Sequence, residues 1–315
     1  MRNRVSAAIR AFSEKLETGS PSEIAALRSD SAASPFFRLG KGAGFAGLLI
    51  AVLSAFAGPA HAQSSTDLVQ RSALRVCADP ANMPFSNKAR EGFENKLADL
   101  LAKSLGVPVT YTWFPQAIGF VRNTLRARKC DVIIGFSQGH ELVLGTNAYY
   151  RSAYVLLYRA GSDLEGVDNL GDPRLRDKHI GVVAGTPPAT ILAVNGLIAK
   201  ARPYQLMVDR RFENPAEEML NDLAASSIDA ALLWGPIGGY YAKQRNGEIR
   251  VVPLLKEKSG PRMAFRIIMG VRPSEIDWKH QLNAFIETHQ KEINAILLDY
   301  GVPLVDEKDR LIAQP

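Results

Sequence analysis

Two stretches of this chain repeat one device, an acidic residue followed by an uninterrupted apolar run: Asp131-Val-Ile-Ile-Gly135 and Asp229-Ala-Ala-Leu-Leu233. A run that is apolar at every position, rather than every second one, suits a strand covered on both faces of a parallel sheet. Each run closes a unit of the same order. In the first, Leu74–Ala78 reads as a strand. Phe93, Leu97, Leu100, Leu101 and Leu105 then recur at helical spacing until Gly106 and Pro108. Val109–Trp113 is a second strand, and Ile118–Arg128 a helix with Val121 and Leu125 inward. In the second unit His179–Ala184 is a strand, and Thr186 is placed to cap a helix with Pro187 at its first position. Leu206–Val208 reads as a short strand, and Asn214-Pro215 opens a helix striped by Met219, Leu220 and Leu223. Strand-helix-strand-helix-strand units make parallel sheets with helices on both faces. Two copies without a short fixed period make two lobes, not a solenoid.

The remaining segments connect those lobes. Tyr149-Tyr-Arg-Ser-Ala-Tyr-Val-Leu-Leu-Tyr158 and Met263–Val271 are candidate crossings. After the second come a helix with Trp278, Leu282, Phe285 and Ile286, and another with Ile293, Ile296, Leu297 and Tyr300, ending at Gly301. The expected fold is therefore α/β and two-lobed, with a mixed, mostly parallel sheet in each lobe and two hinge crossings that permit closure about a ligand. Residues 63–160 would begin lobe 1, 161–262 form lobe 2, and 263–315 return to complete lobe 1.

Arg38 and Lys41 precede the 13 apolar and small residues Phe45–Ala57, and Ala60-His61-Ala62 follows, an A-x-A ending. This reads as a signal peptide over residues 1–62. The competing reading, a membrane anchor, needs about 20 apolar residues. The stretch ahead of the apolar centre is unusually long, and it has no adjacent arginine pair. From Gln63 onward 31 Lys/Arg face 28 Asp/Glu, a net +3, with no basic stripe interleaved with aromatics, so nucleic acid is not an expected partner. Cys77 and Cys130 are the two cysteines. In an oxidising compartment they form a disulfide candidate, the alternative being two buried thiols. They and the scattered His140, His179, His280 and His289 match no metal-ligand spacing.

The order of Leu74-Arg-Val-Cys-Ala-Asp79, Pro84-Phe85, Gly92-Phe-Glu94, Cys130–Gly135, Tyr149–Ser152, Ile180–Thr186 and Asp229–Leu233 resembles the type II periplasmic solute-binding proteins, polar amino-acid receptors in particular, over nearly all of 72–303. The departures are informative. The resemblance implies a Thr-x-x-Arg element after the third strand, whose arginine would grip a carboxylate bidentately. The segment Phe136–Gly145 contains no arginine. It also implies an Asp after the last strand of lobe 2, where Trp234-Gly-Pro-Ile-Gly-Gly239 stands instead. Longer strings resemble the MxaJ/XoxJ type, solute-binding-like proteins associated with PQQ-dependent methanol dehydrogenases: Leu74–Asn87, Gly92–Asn95, Tyr111–Gln116, Gly119–Leu125, Tyr149–Tyr154 and Tyr300–Leu304. That resemblance implies a periplasmic accessory role with the dehydrogenase or its maturation intermediate as partner. A small-molecule ligand, as in a transport receptor, stays open beside it. A monomer without cofactor and without a membrane anchor after cleavage is expected.

Ligands of open α/β sheets meet the carboxyl ends of strands. That rule selects Asp79, Asn82 and Phe85 after the first strand, Trp113 and Gln116 after the second, and Ser137, Gln138 and His140 after the third. From lobe 2 it selects Thr186 and Trp234. Together they suggest an aromatic groove without fixed charge. The bland alternatives are core packing for both tryptophans, a turn-capping role for Asp79 and an exposed loop position for His140. Glu94 reads as structural, and Tyr149, Tyr150 and Tyr154 as hinge packing. No triad, metal cluster or phosphate loop appears in context, so catalysis is not expected.

Overall fold

The computed structural model describes residues 68–139 and 141–313; the segment expected to be a signal peptide and His140 lie outside the described residues. Strand β1 (Leu74–Ala78) leads through the two-residue strands β2 (Ala81–Asn82) and β3 (Ser86–Asn87) to helix α1 (Phe93–Leu105) and β4 (Val109–Trp113). A short α2 (Phe120–Asn123) precedes β5 (Val132–Ser137) and the 16-residue β6 (Leu144–Arg159). Then follow β7 (Ile180–Val183), α3 (Pro187–Val194), β8 (Arg202–Tyr204), α4 (Pro215–Ala224), β9 (Ala230–Trp234), α5 (Gly235–Lys243) and β10 (Ile249–Pro253). The chain returns through β11 (Ala264–Val271), α6 (Ile276–Thr288) and α7 (Gln290–Asp299) to a hairpin of β12 (Leu304–Val305) and β13 (Leu311–Ala313). Among the described residues no helix is long and apolar enough to cross a membrane.

The α/β fold with its parallel units is as expected, but the two sheets are joined. The strands run β4-β1-β5-β11-β6-β9-β7-β8, with β10 also on β6. Strands β4, β1 and β5 are parallel, as are β8, β7 and β9. Antiparallel β11 and β6 lie between them. Up to Ala153, β6 pairs with β11; from Tyr154 on, it pairs with β9, and from Val155 also with β10. Its side chains alternate accordingly. Leu156 and Tyr158 enter the core with α3, while Val155 and Leu157 enter the core with α4. In the other half, Phe93, Leu97 and Leu101 of α1 pack with Ile134, Met269 and Trp278. The opposite sheet face is covered by Phe120, Val121 and Leu125.

Two local expectations need correction. The helix foreseen over 118–128 is only α2. Thr124 leaves helical dihedrals, its hydroxyl donates to the Phe120 carbonyl, and the segment continues in wider turns, Arg126 N–H to Val121 O and Lys129 N–H to Thr124 O. Val121 and Leu125 are nevertheless buried. The strand foreseen at Leu206–Val208 lies earlier, at Arg202–Tyr204, where it pairs with β7 and buries Tyr204. Leu206 and Met207 belong instead to an exposed loop.

The wide turns after α2 bring Cys130 beside β1, where it forms a disulfide with Cys77, Cα to Cα 5.4 Å. Next to it, Asp131 is buried and accepts a bidentate pair from Arg75 (2.6 and 2.6 Å) and a third bond from Arg272 (2.6 Å). Arg272 also bonds Glu275 and the carbonyls of Leu125 and Cys130. A buried carboxylate is tolerated only when paired in this way. The Asp that leads β9 does less, accepting the His179 N–H at 2.8 Å.

The disulfide closes a loop of 53 residues, so replacing both cysteines by serine is expected to lower unfolding free energy by about 4 kcal/mol on the chain-entropy estimate. Urea denaturation of the oxidised protein and of the double variant measures it.

Candidate ligand cleft

At the carboxyl end of β1, Asp79 is buried and accepts from the Ala81 N–H at 2.9 Å and from the Gln116 N–H at 2.6 Å. It thereby ties the loop after β1 to the loop after β4. Asn82 Nδ2 donates to Gln116 Oε1 at 3.1 Å, and Ser86 Oγ donates to the Asp79 carbonyl at 2.9 Å. Asp79, Asn82 and Gln116 are thus one connected polar patch. Phe85 stays half-buried against Phe93, ring centroids 5.2 Å apart.

Facing this patch from the other half of the sheet is the loop after β8, which the sequence rule did not select. Arg210 Nη1 lies 3.8 Å from Asp79 Oδ2. Between the two loops is a cavity of about 390 Å³, lined by Asp79, Gln116, Ala117, Met207 and Arg210 among others. A neighbouring cavity of about 580 Å³ runs from Asn82 and Met83 to Ile237, Tyr240 and Tyr241 on α5. Ser137 and Gln138 open onto a third space, of about 750 Å³, at the crossing strands.

The aromatic, charge-free groove is not what the structure forms. Trp113 stacks on Tyr111 at 4.6 Å and 12° and packs on the core. Trp234 sits between Tyr154 (5.3 Å) and Phe265 (5.9 Å), because its register partner on β6 is Tyr154. Neither ring lines the two cavities beside Asp79. The Thr186 hydroxyl turns back to donate to the Val183 carbonyl at 2.6 Å and makes no cap bond to α3. The walls carry charge instead, with Asp209, Arg210 and Arg211 lining one cavity and Glu213 and Glu217 the other.

Glu94, at the start of α1, is buried, and no hydrogen bond reaches its carboxylate among the described residues. Gly135 of β5 makes room for it: a Cβ there would lie 1.9 Å from Glu94 Oε1. Burial, with a smaller contribution from the charge of Asp79, pushes the carboxyl up to about 8. Tyr149 and Tyr150 are buried beside it, their phenols raised chiefly by burial and secondarily by neighbouring charges that include Glu94.

Residues 74–301 match the family of bacterial extracellular solute-binding proteins, family 3. The chain belongs to that family. Within it the similarity runs to the MxaJ/XoxJ type of periplasmic binding protein. Protein MoxJ of Methylorubrum extorquens is 32% identical over 279 residues, 81% of this chain and 92% of the relative. The crystal structure of periplasmic binding protein XoxJ from Methylobacterium extorquens AM1 superposes with a TM-score of 0.64 at 45% identity, covering 74% of this chain and all of that one. MxaJ from Methlophaga aminisulfidivorans gives 0.63 at 26% identity, with the same coverage.

Glu94 carries a stability signature. A carboxyl raised to about 8 when folded keeps a proton that the unfolded chain releases near pH 4.5. Stability is therefore expected to fall as pH rises from about 4.5 to about 8, by a few kcal/mol at about 1.4 kcal/mol per pKa unit. Glu94→Gln should remove most of that slope. Urea midpoints of both proteins at pH 5 and pH 8 decide it; equal slopes would refute the assignment.

Proposed function

We propose that this chain is a periplasmic accessory protein of a PQQ-dependent methanol dehydrogenase system, acting by non-catalytic binding through the cleft between its lobes. The observation that carries the proposal is the 45% identity to XoxJ over the whole of that chain, supported by the relative MoxJ. The type they represent is the one whose sequence resemblance is tied to such dehydrogenases. In this reading, residues 63–160 and 263–315 form lobe 1 and residues 161–262 form lobe 2. Asp79, Asn82, Phe85 and Gln116 form one wall of the cleft and the loop carrying Met207 and Arg210 the other. Ser137 and Gln138 stand at the crossing strands, His140 and Thr186 complete the proposed set, and Trp113 and Trp234 brace the walls from behind.

The disposition of charge favours a macromolecular partner over an amino acid. Asp79 is already committed to two backbone N–H groups, and the segment 136–145 has no arginine to meet a carboxylate. A zwitterion seated there would have to draw Arg210 away from the buried Asp79, 3.8 Å from it, leaving that carboxylate without its cation. Exposed Ile118 stands in the loop after β4 and exposed Met207 and Phe212 in the loop after β8, and Met207 lines the smaller cavity. The competing reading, a transport receptor for a small solute, rests on the family as a whole.

A deletion strain of a methanol-oxidising host separates the two. Loss of the gene is expected to lower methanol dehydrogenase activity in periplasmic extract about tenfold or more. The wild-type gene should restore activity, and Ala117→Trp, which fills the cleft from an exposed position, should not. Undiminished activity in the deletion strain would sink the accessory role and favour the receptor.

A further inference from the structure

The third cavity, half open to solvent, is lined by the cationic side chains of Arg151, Lys258, Arg262 and Arg266. Arg151 of β6 and Arg266 of β11 are register partners, so both side chains leave the same face of the crossing strands. Each is already engaged by the chain's own C-terminal hairpin. Arg266 Nε donates to Glu307 Oε1 at 3.2 Å while its Nη2 holds Oε2 of the same carboxylate, a bidentate fork. Arg151 Nη1 donates to the Asp306 carbonyl at 2.5 Å and its Nη2 pairs with Asp309. Across the space, which measures about 750 Å³, the segment 254–263 brings Lys258 and Arg262. Neither has an acidic partner among the described residues, and both are exposed. Glu257 also lines the cavity, its carboxylate accepting the Leu170 N–H at 2.7 Å. Four cations thus line the cavity beside three acids, Glu257 and the two of the hairpin, with Ser137 and Gln138 as polar neighbours.

We propose that this cavity binds a small organic anion carrying two or three carboxylates. Lys258 and Arg262 supply the free half of the site. Arg266 and Arg151 supply the other half, in competition with Glu307 and Asp309. Carboxylates are the class indicated because Arg266 already holds one in fork geometry, the arrangement guanidinium groups favour. Cations spread around a space of this size suit separated anionic groups better than one compact phosphate. The site would also supply, from the crossing strands, the anion-binding arginines that are missing from the segment after β5. It does not depend on which macromolecule the neighbouring cleft engages.

Isothermal titration calorimetry on the mature protein at low ionic strength, with citrate, succinate and inorganic phosphate as probes, tests this. Citrate is expected to bind saturably and more tightly than phosphate. The variant Lys258→Ala/Arg262→Ala, changed only at exposed positions, should weaken citrate about tenfold or more, and Glu307→Gln/Asp309→Asn should tighten it several-fold by removing the competing acids. No saturable citrate heat, or equal binding by the wild type and the Lys258/Arg262 variant, would overturn the site. Phosphate binding as tightly as citrate would overturn the ligand class. Unchanged affinity in the hairpin variant would overturn the competition.

Discussion

The backbone ladder of β6 is what the rest of the molecule depends on. One continuous strand serves two half-sheets. It pairs with β11 up to Ala153 and with β9 from Tyr154, so neither half-sheet is complete without it. At the change-over, the Tyr154 N–H donates to Met263 O and the Leu254 N–H donates to Tyr154 O, so both backbone groups of Tyr154 are paired where the partners switch. The surroundings are close-packed there. Ser152 Oγ donates to Pro303 O at 2.7 Å. A Cβ on Gly235 would lie 2.3 Å from the Ala153 carbonyl. On the same side Gly239 of α5 meets Gly301 after α7 at backbone contact, and Tyr240 stacks on Tyr300. The strands that carry the cleft loops project from this braced seam.

Much of the fold was legible because its signals are local and periodic. The continuous apolar runs at 131–135 and 229–233 became β5 and β9, and the leucine spacing after Phe93 became α1. The Cys77–Cys130 bridge was the one pairing open to two cysteines in an oxidising compartment. The failures have local causes too. Thr124 competes for a helical carbonyl with its own hydroxyl, which ends α2 early. At β8 the apolar triplet Leu206–Val208 drew the assignment, but burial of Tyr204 against β7 outweighs it.

The site was less legible, because its chemistry comes from residues far apart in sequence. The strand-end rule selected Asp79, Asn82 and Gln116, which the structure joins in one hydrogen-bonded patch. It could not find Arg210, which sits beyond an edge strand, or Arg151 and Arg266, which meet only through cross-strand register. It also misjudged the tryptophans, whose rings pair with aromatic neighbours in space rather than facing an opening. A groove inferred to lack charge is therefore flanked by ion pairs, and that alters what it can accept: buried or half-buried charge favours partners with complementary charge over purely apolar ones.

The central claim is that the cleft engages the dehydrogenase itself. Biolayer interferometry between the immobilised mature protein and purified PQQ-dependent methanol dehydrogenase from the same organism tests it most directly. The account predicts saturable binding that weakens with salt, as interactions between charged surfaces do, and that drops about tenfold or more when the cleft is filled at Ala117. Absence of binding by the wild-type protein, or equal binding by the filled variant, would contradict it.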